Sequence, residues 1–171
     1  MEESTPIWKN AFTHGLILGL GLTITTIMLY ATDMMFNPSM SLLYYIVIVA
    51  VIVLGTKKQK AIDEGELSYG KALGTGTVIS VAGAIIFSMF FYILYTYIDS
   101  GLIDKYLYVI EESLTQQGYT DSEIETSMNA VKMISSPALL AFGNLFNYSL
   151  IGFVLSLITS IFLKSRTKNI A

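Results

Sequence analysis

Long apolar stretches separated by short polar ones dominate this chain. Four of them, at about residues 11–32, 41–55, 72–98 and 138–163, carry almost no charge. A helix rises about 1.5 Å per residue and a hydrocarbon layer is about 30 Å thick, so about 20 apolar residues suffice to cross it. The second stretch is the shortest, and Pro38 to Met40 and Thr56 are expected to extend it. Lipid offers no partners to backbone polar groups, so each stretch is predicted to be helical. The alternating ten-residue segments of a membrane barrel do not occur. The third stretch is the longest and closes on Phe90-Phe91-Tyr92-Ile93-Leu94-Tyr95-Thr96-Tyr97. Tyrosines favour the headgroup layer, so this end is predicted to protrude through an aromatic belt rather than to tilt.

Between the third and fourth stretches, residues 99–136 change character. A structureless connection of that length is uncommon. Ile103, Tyr106, Leu107, Ile110 and Leu114 recur at helical spacing. Gly118 is a natural helix stop, and Thr120-Asp121-Ser122-Glu123 has the form of a capping box that opens a second helix. Ile124, Met128 and Val131 give that helix one apolar face, and Pro137 opens the fourth stretch. The expected fold is an all-α integral membrane protein. It is a four-transmembrane-helix bundle with an extracytoplasmic two-helix hairpin between spans three and four, all in one membrane domain.

Composition agrees. The 171 residues are 53% hydrophobic and only 13% charged, against roughly 25% charged in a soluble domain. Mean hydropathy is +0.61. Disordered, fibrous and disulfide-stapled classes are excluded, and a soluble enzyme fits poorly. Cysteine is absent and there is one histidine, so neither thiolate chemistry nor a multi-histidine metal site is expected, and no cofactor is implied. The net charge of −3 gives no footprint for nucleic acid. Glu2 and Glu3 precede Lys9 without a small-residue cleavage site, so the first span is expected to stay attached.

The distribution of charge says more than its sum. Lys9, Lys57, Lys58, Lys60, Lys71, Lys164, Arg166 and Lys168 flank the spans on one side. Lys105 and Lys132 share the other side with Asp33, Asp99, Asp104, Glu111, Glu112, Asp121, Glu123 and Glu125. Basic residues stay in the cytoplasm, which predicts cytoplasmic termini and a cytoplasmic central loop.

The two halves also resemble each other. Trp8 to Gly15 parallels Tyr69 to Gly76, and Pro38 with Leu42-Leu43 parallels Pro137 with Leu139-Leu140. That pattern reads as two hairpins in the same orientation, the second carrying the outer insert; the matching stretches are short.

Several stretches together resemble a family of small four-span bacterial membrane proteins, a domain of unknown function (number 4199). They are Gly15-Leu16-Ile17-Leu18-Gly19, Leu67-Ser68-Tyr69-Gly70-Lys71-Ala72-Leu73, Tyr95-Thr96-Tyr97-Ile98-Asp99, the acidic segment that ends at Pro137, and the close from Gly152 to Lys164. The resemblance covers almost the whole chain. It implies this architecture and a bacterial cytoplasmic membrane, and it brings no catalytic residue.

Candidate chemistry is sparse. Charged side chains are missing from the span interiors, where they would mark ion pathways. His14, near the cytoplasmic start of span one, reads as a hydrogen bond to a backbone carbonyl or headgroup, or as one step of a proton relay. Asp33 and Asp99 end spans one and three as solvated terminators or as an outer cation site. Asn144 and Asn147 lie three residues apart on one face of span four, as bonds to neighbouring spans or as a polar intramembrane pocket. Gly15 with Gly19, Gly70 with Gly74, and Gly152 with Ser156 form small-residue stripes suited to close helix packing. No triad, metalloprotease or nucleotide-loop motif accompanies them. The expected function is therefore non-enzymatic: a subunit or assembly factor in contact with membrane lipid and with a protein partner or a second copy. The alternative is a small transporter or channel for a neutral solute.

Overall fold

The computed structural model describes residues 7–165. Glu2, Glu3, Arg166 and Lys168, used above for the anchor and the charge balance, lie outside those residues. The described chain is all helix: α1 Trp8–Ala31, α2 Ser41–Ile62, α3 Tyr69–Ile93, α4 Leu102–Gln116, α5 Asp121–Ile134 and α6 Pro137–Leu163. A short 3₁₀ turn, Pro38–Met40, leads into α2, and a π turn, Leu94–Ile98, closes α3. Among the described residues four helical segments are long and apolar enough to cross a membrane: Trp8–Ala31, Pro38–Ile62, Tyr69–Ile98 and Pro137–Leu163.

Side-chain contacts fix the directions of the long helices. Along α1 and α2, Asn10 meets Gly55 and Gln59 while Thr26 meets Tyr44, so the two run antiparallel. Gly15 abuts Ile79 and Ala82, and Gly19 abuts Gly83 and Ile86, so α1 and α3 run parallel. Gly76 faces Ser156 and Ser80 faces Gly152, so α3 and α6 run antiparallel. The four helices close on Leu18, Leu22, Ile48, Ile52, Ile79 and Phe87, all nearly inaccessible. Thr26, Tyr44, Phe87 and Tyr148 continue that core, with the Thr26 and Tyr44 hydroxyls 3.0 Å apart and the Phe87 and Tyr148 rings edge to face at 5.1 Å.

Two elements differ from the sequence expectation. The apolar stretch of span two stops at Gly55, yet α2 continues to Ile62. Hydropathy marks where lipid ends, whereas a helix continues until something breaks it. Here the break is Glu64 and Gly65, both at positive φ (52° and 93°), where glycine adopts the left-handed conformation without strain. The tyrosine-rich end of span three is not a uniform belt either. The π turn carries Tyr95 inward to 2% exposure, stacked on Phe91 at 4.3 Å, and leaves Tyr97 outside at 75%.

Residues 99–136 form the two helices α4 and α5, with Gly118 between them at φ +83°. The Glu123 carboxylate accepts from the Thr120 backbone N–H at 2.9 Å and from its hydroxyl at 2.7 Å. These two bonds, the backbone one foremost, hold the Glu123 carboxyl below its ordinary value.

Candidate functional site

At the lysine-bearing end of the long helices a chain of polar side chains ties three of them together. Asn10 on α1 donates through Nδ2 to the Gly55 carbonyl at 2.9 Å and to Gln59 Oε1 at 3.1 Å. Gln59 on α2 is fully buried and donates through Nε2 to both Asp63 oxygens, at 3.3 and 3.2 Å. The Asp63 side chain, 6% exposed, receives Lys71 of α3 at 2.7 Å. Every member is paired, as buried polar groups require. Beside it, His14 Nδ1 lies 2.9 Å from the Asn10 carbonyl. A carbonyl only accepts, so Nδ1 carries the proton in this arrangement.

The same end fastens α6. Lys60 Nζ donates to the Leu163 carbonyl at 3.2 Å, satisfying a helix-end acceptor. Ser165 exchanges bonds with Leu67: its N–H reaches the Leu67 carbonyl, and the Leu67 N–H reaches its hydroxyl, both at 2.8 Å. The loop between α2 and α3 is thereby held against the close of α6.

The acidic end is organised differently. Asp99 accepts from the Tyr30 hydroxyl at 3.0 Å and from the Gly101 N–H at 3.0 Å. Asp33 instead meets Lys105 at 3.3 Å on an open surface. The two carboxylates thus have separate partners. Among the described residues no three His, Asp or Glu side chains converge as metal ligands would.

Asn144 and Asn147 line a cavity of about 430 Å³ with Phe91, Tyr95, Tyr106 and Ile134. It lies where the end of α3, α4, the end of α5 and the first turns of α6 come together. Neither amide makes a hydrogen bond to another described residue. Asn144 is partly covered and Asn147 is exposed. Two further cavities lie at this end: about 300 Å³ between α4 and α5, and about 460 Å³ beside Asp33, Phe36 and Lys105.

The small residues divide. A Cβ on Gly15 would stand 2.5 Å from Ala82 Cβ, and one on Gly19 would stand 2.6 Å from Ile86 Cβ. Gly152 would collide with Ser80, and Gly76 with Ser156. Those positions set how closely α3 approaches α1 and α6. Gly70 has open space around it, and Gly74 meets only Ile7 at an ordinary 3.5 Å, so the buried face of this part of α3 is the one with Ala72 and Thr75. Gly76 and Gly83 carry the seams on α3 instead. Sequence reasoning missed Gly83 and the Asn10–Gln59–Asp63–Lys71 chain. The available signal was Asp63 four residues after Gln59 and eight before Lys71, with an asparagine opening span one.

An all-helical chain with four helices of membrane-crossing length and uncharged middles has the marks of a multi-pass membrane protein. The chain belongs to the family described as "Protein of unknown function (DUF4199)", whose model matches residues 13–165. No curated protein and no solved structure matches it.

Proposed function

We propose that this protein is a non-enzymatic subunit or assembly factor of a bacterial cytoplasmic membrane. The four long helices form a transmembrane bundle, with α4 and α5 as its extracytoplasmic hairpin. Both termini and the loop around Asp63 to Ser68 face the cytoplasm. The orientation is supported by the lysines gathered at one end and the carboxylates of α4 and α5 at the other.

The observation that carries the association reading is the closed middle of the helix set. Leu18, Leu22, Ile48, Ile52, Ile79 and Phe87 fill it, and glycine and serine draw α3 tight against both neighbours. Close packing of this kind is a platform rather than a conduit. Purification from the native membrane in mild detergent, followed by native mass spectrometry, is expected to return a second protein, or a second copy, at fixed stoichiometry. A lone monomer overturns the reading. Because the chain has no cysteine, single cysteines at Glu64 and Gln117 test orientation directly. An impermeant maleimide added to intact cells is expected to label the second and not the first.

One observation favours the alternative of a small transporter for a neutral solute. It is the uncharged cavity at Asn144 and Asn147. Flux of a neutral solute into liposomes, abolished by Asn144→Leu with Asn147→Leu, would replace the association reading.

A further inference from the structure

We propose that the cavity at Asn144 and Asn147 is a lateral binding site for a lipid whose headgroup is uncharged and rich in hydroxyls, the chemistry of a glycosyl diacylglycerol. The inference rests on the membrane placement above.

The lining, the depth and the lateral opening of the cavity carry it. The lining contains no Asp, Glu, Lys, Arg or His. It therefore offers nothing to neutralise a phosphate or an ammonium group, and a charged headgroup would lose hydration there without compensation. The polar side chains it does offer are the two amides and the phenols of Tyr95 and Tyr106. Each amide both donates and accepts, which matches a hydroxyl, itself donor and acceptor. Neither amide has a hydrogen-bond partner among the described residues, so both are free to serve a ligand.

The depth suits a lipid. Asn144 and Asn147 lie seven and ten residues into α6, about 10 and 15 Å from its first turn. The helix has 27 residues, so at about 40 Å it overhangs a hydrocarbon layer of about 30 Å by about 5 Å at each end. Asn144 then sits about 5 Å below the layer's boundary, near the glycerol of a lipid, and Asn147 about 10 Å below it, where water is scarce.

The cavity also opens sideways. Ile134, Leu139 and Phe142 line it and are 61%, 49% and 65% exposed, which gives acyl chains an apolar rim to lie along. Its volume of about 430 Å³ holds a headgroup and not a whole lipid; ligand sites of small molecules run about 300–1,000 Å³. The stacked pair of Phe91 and Tyr95 forms a rigid wall. A soluble solute would have no use for the rim, and this selects the lipid.

Gly143 supplies a clean probe. It lines the cavity, and a Cβ there meets nothing within 4 Å, so Gly143→Leu enters the cavity without touching a helix seam. The test uses the full chain in liposomes of dioleoyl phosphatidylcholine doped equally with dioleoyl phosphatidylglycerol and dioleoyl glucosylglycerol. Flotation comes first, then native mass spectrometry of the lipids retained. The wild type is expected to float and to retain one glucosyl lipid in preference to both phospholipids. Gly143→Leu and the Asn144→Leu/Asn147→Leu pair are each expected to lower that retention about tenfold, the worth of one or two hydrogen bonds. Their melting temperatures are expected to stay at the wild-type value. Equal retention of either phospholipid, unchanged retention in both variants, or displacement by millimolar free glucose overturns the proposal and leaves the membrane reading standing. A protein that fails to float overturns both.

Discussion

At the scale of the residue, the controlling feature is the absence of a side chain at a few glycines. Gly15 and Gly70 look alike in the sequence, each the first member of a small-residue pair on an apolar helix. Their surroundings are opposite: a Cβ at Gly15 runs into Ala82 and the Ile79 carbonyl, whereas one at Gly70 meets nothing. Backbone and Cβ atoms cannot rotate away, so the helices must separate. Gly15→Leu is expected to destabilise the protein by about 1–3 kcal/mol, the usual cost of overpacking. Gly70→Leu is expected to stay within about 0.5 kcal/mol of wild type, as open surface sites do. Thermal unfolding of the two variants in the same detergent checks both. The stripe at Gly15 and Gly19 was legible from spacing. Which glycines of α3 faced a neighbour was not, because spacing on one helix cannot report where another begins to touch it.

At the scale of the element, start and stop signals were the most readable part of the chain. Gly118, the Thr120–Glu123 pair and Pro137 fall where the sequence suggests, because each acts through its own backbone within a few residues. The far end of α2 was illegible for the converse reason. Gln59 is buried against Asn10, which arrives from another part of the chain, and beside Asp63, whose counter-charge Lys71 comes from α3. The cap of α5 makes a pH prediction. The carboxylate of Glu123 is held below its ordinary value by bonds it makes in the folded state. Its contribution is thus present above the unfolded glutamate range and is lost as pH falls through the lowered folded value. A carbon-detected NMR titration is expected to place Glu123 below the ordinary glutamate range. Thr120→Gly is expected to move it upward by removing the hydroxyl, with the backbone bond retaining part of the effect. A midpoint unchanged by that substitution contradicts the assignment.

At the scale of the whole molecule, the two ends are built to different rules. The acidic end is open, with its cavities and with Asp33 and Lys105 paired on the surface. The lysine-bearing end is locked: Asn10, Gln59, Asp63 and Lys71 join α1, α2 and α3, while Lys60 and Ser165 join α6. The sequence announced this asymmetry in its charges but read Lys71 only as an orientation signal. A lysine outside a span looks the same whether water or a buried carboxylate receives it. The distinction is energetic. Removing Lys71 leaves the Asp63 carboxylate covered, bonded to Gln59 alone and without its counter-charge, whereas removing both charges leaves a covered amide that Gln59 can still meet. Lys71→Met is therefore expected to destabilise the protein by about 3 kcal/mol, the penalty of breaking a buried pair. Lys71→Met combined with Asp63→Asn is expected to recover most of that loss, because the cost lies in the stranded charge and not in the missing attraction. If the double variant is as unstable as the single one, Lys71 acts through its stem or through some other partner, and the end is held by packing. If it recovers, the charges of this end form a clamp that fixes the three helices against one another.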